Sequence, residues 1–261
     1  MAIPSLKSVK MDKKIEIEKK ESSLQVQAAK QVAVVSSFFT GFVDDKSDLS
    51  ASDLDKNYLK IAQGTSDLVK QGKLAPGVFY VKSDGFDLGK EILVTPVLLK
   101  NVYLEKTESG QDGKIEKVYT VEEFKDKVTS GDIAKEEFIL KDGSKGRHYV
   151  NQLNQYPIQS VRNMALILWG MDASKEVVYS FSGTAYSDAS IWIKSMNKVS
   201  IENDNLPMQA QIWKLKPTLV RDGSNSWFAL SDGRDFQGEF YGIIEDDEAA
   251  KTVIDSYNKI K

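Results

Sequence analysis

From Pro76 to Gly233 the hydrophobic positions fall mainly into strand-like runs separated by turn residues, and helical periodicity marks the segments on either side. Upstream, residues 24–39 (LQVQAAKQVAVVSSFF) follow Ser22 and Ser23, which can cap a helix, and run into Gly41 and an Asp/Ser-rich exit. A helix is expected there, with strand as the alternative because valine is frequent. Leu59, Ile61, Leu68 and Val69 surround a break at Gly64, and the Pro76-Gly77 turn precedes a short strand, Val78 to Lys82. Residues 91–105 (EILVTPVLLKNVYLE) are a long apolar run that Pro96 bars from a helix, so they predict a bent, partly buried strand. A helix over Val121 to Ser130, a strand over Glu137 to Lys141 and a turn over 142–146 come next.

Residues 164–171 (MALILWGM) are apolar at both alternating sets of positions, and 176–183 alternate Val177, Tyr179 and Phe181 with polar residues, which predicts a hairpin about 172–175. From Thr184 to Val199, Ala185, Ala189, Trp192, Met196 and Val199 recur at spacings of four and three, an amphipathic helix with Trp192 on its core stripe. A second hairpin is expected from 209–222 and 226–233. A last helix starts in the acids Glu245 to Glu248 and sets Ala249, Val253, Tyr257 and Ile260 on one face. The order of three strands, a helix and two further strands predicts a mainly β chain with flanking helices (α+β). It suits an oligonucleotide-binding type of five-stranded antiparallel barrel with a helix between strands 3 and 4. An antiparallel sheet with one packed helix would give the same order. The organisation expected is a charged, flexible arm at 1–23 and a single domain at 24–261 with N- and C-terminal helical extensions.

Composition narrows the chemistry. Among 261 residues there is no cysteine and one histidine, His148, which leaves no thiolate zinc site, disulfide, iron–sulfur cluster, cysteine nucleophile or two-histidine metal site. The closest approach to a P-loop, Asp84 to Lys90, lacks the first glycine and the hydroxyl, and neither a dinucleotide fingerprint nor a nucleophile elbow occurs. The acids at 245–248 are more simply a helix start than a metal site. The reading is therefore non-enzymatic, with no cofactor and no metal. The N-terminal residues carry lysine clusters without the apolar stretch of a secretory signal, and the most apolar window, Val32 to Val43, is far shorter than the roughly 20 residues of a membrane span. A cytoplasmic protein with no membrane partner is expected.

The net charge of −3 hides a block pattern: residues 1–40 sum to +3, 41–140 to −5, 141–221 to +4 and 222–261 to −5. The second basic block also holds Trp169, Trp192 and Trp213. Single strands of nucleic acid are held by cations along the phosphates and by aromatic faces under the bases, so aromatics beside lysine or arginine are the candidates. They are Tyr149 with Lys145 and Arg147, Trp213 with Lys214 and Lys216, and Trp227 with Arg221, joined by Lys194 and Lys198 off the apolar stripe of the 184–199 helix. Tyr179 and Phe181 share a strand face, a platform if open and core if covered.

The segments YLKIAQGTSDLVKQGKLAPGVFYV (58–81), EILVTPVLLKNVYLE, VVYSFSGTAYSDASIWIKSMNKV (177–199) and QAQIWKLKPTLVRDGSNSWFAL (209–230), in this order, resemble phage-encoded single-stranded-DNA-binding proteins of replication and recombination modules. The resemblance covers about two thirds of the chain and rests on short strings. It implies an oligonucleotide-binding fold, non-specific binding of single-stranded DNA in the host cytoplasm, and roles in replication, recombination or recruitment of an RNA polymerase. Many such proteins end in an acidic tail, whereas here the acids at 245–248 precede a helical stretch ending in Lys259, Ile260 and Lys261, so the Lys-rich arm at 7–20 is the alternative contact for partners. The competing reading is a protein–protein accessory factor, or an inhibitor of a host enzyme, that binds no nucleic acid.

Overall fold

The computed structural model describes residues 57–107, 114–139, 145–170 and 174–260. The arm expected at 1–23 and the helix expected at 24–39 lie outside the described residues. Two long strands form the spine, β4 (Ile92–Lys106) and β8 (Pro157–Trp169), which pair antiparallel from Leu93↔Trp169 to Glu105↔Ile158. Pro96 has no N–H for the ladder, and the register shifts between Pro96 and Leu98, which bends β4 as its sequence predicts.

The sheet grows outward from this spine. On one side β9 (Lys175–Ser182) pairs antiparallel with β8, β1 (Tyr58–Ile61) lies parallel to β9, and β2 (Phe79–Val81) and β3 (Asp87–Gly89) complete the edge. On the other side β10 (Gln211–Leu215) pairs with β4, and β13 (Glu239–Ile243) with β10. A branch at the far end of the spine adds β5 (Ile115–Tyr119) to β4 and β7 (Lys145–Asn151) to β8, with β6 (Ile133–Ile139) on β7. Among the described residues the result is a curled half-barrel of eleven strands, wider than the five-stranded barrel expected from the element order.

Helices fill the curl and cover its back. Beyond the single turn α1 (Asp67–Lys70) they are α2 (Val121–Ser130), α3 (Tyr186–Glu202) and α4 (Asp247–Ile260). Along β8, Met164, Leu166 and Leu168 face Ala189, Trp192 and Met196 of α3 in one core, together with Phe79, Tyr179, Phe181, Trp213 and Leu215. The alternate residues Ala165 and Ile167 face Ala250, Val253, Tyr257 and Ile260 of α4 in a second core. A strand buried on both faces cannot alternate, which is why MALILW is an unbroken apolar run. Tyr179 and Phe181 are therefore core. At the branch, α2 starts in a capping box between Thr120 and Glu123 and plugs a smaller curl with Phe124, against Tyr119, Ile133 and Ile158.

Several expected bounds shift. The strand expected at 137–141 is β6 at 133–139; β7 and the first half of β8 carry polar residues and were not anticipated. The expected 209–233 hairpin divides: β10 joins the main sheet, and β11 (Thr218–Asp222) pairs instead with β12 (Asn225–Ala229) as a separate two-stranded ribbon. On the last helix Ala250, rather than Ala249, is the buried alanine.

Candidate nucleic-acid interface

The sequence-predicted residues sit in four separate places. Lys145 and Arg147 project from β7, but both pair with Glu137 of β6, at 3.3 and 2.6 Å. Tyr149 is half-buried, edge-on to Phe124 with Lys135 at 5.7 Å from its ring centre. Lys194 and Lys198 lie on the exposed side of α3, where Lys198 is 3.8 Å from Glu202. Trp213 is the clear correction. It is only 3% exposed, stands edge-on to Trp192 and Phe236, and donates its indole N–H to Gln211 Oε1 at 3.0 Å, so no base can stack on it. Its inward position follows from strand alternation: Gln211, Trp213 and Leu215 point in, and Lys214 and Lys216 point out. Those two lysines pair with Glu239 (2.6 Å) and Glu91 (3.2 Å). Arg221 is exposed and Trp227 half-buried on the β11–β12 ribbon.

A different group of cations and aromatics is brought together by the sheet. On the outer face of β1 and β2, Lys60 stands directly across from Tyr80, and the Lys82 N–H donates to the Tyr58 carbonyl at 2.8 Å. Tyr58 and Lys60 share that face because they are two residues apart, and Lys60 Nζ lies 5.4 Å from the Tyr58 ring centre. Tyrosine and lysine thus alternate both along and across the two strands. Lys60 has no carboxylate partner among the described residues, and its pKa is lowered by burial first and then by repulsion from Lys82 and Lys106. Lys82 and Lys106 are each near enough to repel the Lys60 ammonium, and together they form a local positive field. Burial raises the Tyr80 hydroxyl pKa, so that ring stays neutral. Sequence reading passed over these residues because they lie about 20 positions apart in the acidic 41–140 block. The signal available was strand alternation, Tyr-x-Lys in 58–60 and again in 80–82.

Two further polar centres hold the frame. Glu105 is 3% exposed and accepts from the Tyr119 hydroxyl, from Asn151 Nδ2 at 3.0 Å and from Asn154 Nδ2 at 2.6 Å. Burial alone would raise its pKa, but these three donors and Lys117 together bring it below the usual glutamate value. Asp188, at the start of α3, accepts from Ser231 Oγ at 2.6 Å and from the Leu230 N–H at 3.3 Å, and burial raises its pKa despite them. Glu105 ties the loop after β7 to the sheet, and Asp188 ties residues 230–231 to α3. Among the described residues no group of three or more His, Asp or Glu side chains is placed to hold a metal ion, and no helix is long and apolar enough to cross a membrane. No family model, no curated protein and no solved structure matches this chain.

Proposed function

We propose that this chain is a non-enzymatic, sequence-non-specific binder of single-stranded DNA, acting in phage DNA replication or recombination in the host cytoplasm. The observation that carries the reading is the Tyr58, Lys60, Tyr80 and Lys82 checkerboard on the half-buried outer face of β1 and β2, where Tyr80 also packs beside Leu68 and Val69, with Lys106 close by. Lysines gathered on one face can track a phosphate backbone, and tyrosine rings between them offer surface for unstacked bases.

The strand connections support the same reading. In oligonucleotide-binding barrels three strands form an antiparallel meander, a helix follows the third, the fourth strand returns to the first, and the fifth runs parallel to the third. Here β4, β8 and β9 are the meander, α3 follows β9, β10 returns to β4, and β1 runs parallel to β9. We read the half-barrel as an elaborated relative of that design in which an N-terminal strand takes the fifth position.

A fluorescein-labelled oligo-dT titrated with the full chain at low salt tests the proposal by anisotropy. Binding is expected, weakened by Lys60→Met and by Lys82→Ser. An anisotropy that does not rise overturns it. Intrinsic tryptophan emission is a poor reporter here, because Trp192 and Trp213 are core residues.

A further inference from the structure

An open sheet edge presents unpaired N–H and C=O groups that another strand can take up, and folded proteins blunt such edges by keeping them short, bulged or broken by proline. Four strands end the described sheet: β3, β13, β5 and β6. β3 has three residues and a register shift against β2. The pairings that hold β13 and β5 are each interrupted by a shift, at Ile212/Trp213 and at Glu105/Lys106. β6 has none of these three and carries charged residues instead, Lys135, Glu136 and Glu137. Its seven residues pair with β7 in one unbroken register from Ile133↔Asn151 to Ile139↔Lys145, it contains no proline, and its outer edge makes no main-chain hydrogen bond to any other described residue. At its end Phe138 is 37% exposed and Ile139 is 77% exposed.

The strand is also self-complementary in charge. Lys135 and Glu137 stand one position either side of Glu136, so an antiparallel copy centred on Glu136 sets each Lys135 opposite the other copy's Glu137. The same register sets Ala134 opposite Phe138. Among the described residues Lys135 makes no ion pair, only a contact with the Tyr149 ring at 5.7 Å, which leaves its ammonium for the second copy.

We propose that β6 pairs with β6 of a second copy of this chain, antiparallel and about a two-fold axis at Glu136, joining the two sheets into one. The arrangement is isologous, so it closes as a dimer and does not grow into a filament. Strand addition over seven residues is at the small end of specific interfaces, so dissociation in the micromolar range follows. Glu136 meets its own copy across the axis. Its Oε1 accepts from Gln152 Nε2 at 2.9 Å, which offsets part of the like-charge cost.

Sedimentation velocity of the full chain without DNA, over about 1 to 200 µM, is the test. The wild type is expected to pass from monomer to dimer with concentration. Lys135→Glu alone and Glu137→Lys alone each set like charges across both pairs and are expected to weaken the dimer tenfold or more. An equimolar mixture of those two variants restores opposite charges and is expected to form the heterodimer. Glu136→Gln is expected to tighten the wild-type dimer. Because Glu137 also holds Lys145 and Arg147, circular dichroism is recorded for each variant, and Lys135→Glu gives the cleaner result. A wild type that stays monomeric over the whole range, or a dimer indifferent to all of these charge changes, overturns the proposal. Neither outcome bears on whether the Tyr58 and Lys60 face binds DNA.

Discussion

Lys60 is half-buried on the outer face of β1, and burial, Lys82 and Lys106 all lower its pKa from the ordinary 10.5. A lysine that binds its proton less tightly when folded than when unfolded opposes folding at neutral pH, and that cost fades as pH rises through the folded value toward the unfolded one. Lys60→Met is therefore expected to raise thermal stability, by up to about 1 kcal/mol, while lowering affinity for oligo-dT. A variant that loses stability and keeps affinity would contradict both assignments. Glu105 has the opposite sign. Its pKa is held below 4.5 by its amide and phenol donors, so its contribution is fully present above that value and is lost as pH falls through the folded value. Glu105→Gln is expected to cost about 2 kcal/mol at pH 7 and to flatten the acid limb of stability against pH, measured by urea titration at several pH values.

Element by element, legibility in the sequence follows burial. The 92–106 and 164–169 strands and the α3 stripe were readable because their apolar side chains meet the two cores. β6 was readable only in its second half and β7 not at all, because their exposed positions hold Lys, Glu, Arg and Asn, and strands of a small curl need little apolar side chain. The β11–β12 ribbon shows a further limit. It is attached through the Gln63 side chain, which donates to the Phe228 carbonyl at 2.8 Å and accepts from the Phe228 N–H at 2.7 Å, as a neighbouring strand would. Phe228 also lies over Gly77, whose φ is +77°; a Cβ there would come within 2.6 Å of the ring. Gln63→Ala is expected to cost about 1–2 kcal/mol and to speed hydrogen exchange at the Phe228 amide well beyond the change at β8 amides. Gly77→Ala adds backbone strain to a clash and is expected to cost more, about 2 kcal/mol or above, read from thermal unfolding.

On the scale of the whole molecule, salt distinguishes the outer β1–β2 face from the cations first picked out by sequence. The log of oligo-dT affinity against the log of salt is expected to fall by about 0.7 per phosphate neutralised, and the Lys60→Met/Lys82→Ser double variant to lose about 1.4 of that slope. Lys145→Ser with Arg147→Ser is expected to change it less, because Glu137 already offsets one of their two charges. Equal loss of slope in the two double variants would place the strand across both regions.

The amino-acid pattern by itself determined the mainly β character, the long bent strand about Pro96, the α3 and α4 stripes and the placement of Trp192 in the core. Each of these depends on spacing within one segment, and spacing is a local property. What only the tertiary structure decided is which cations and aromatics meet. A charge block summed along the chain drew attention to 141–221, yet strand alternation turns Trp213 inward and glutamates from β3–β4, β6 and β13 flank its lysines. The pairing of β1 with β2 gathers Tyr58, Lys60, Tyr80 and Lys82 from an acidic block instead, because contact across strands depends on register and not on distance along the chain.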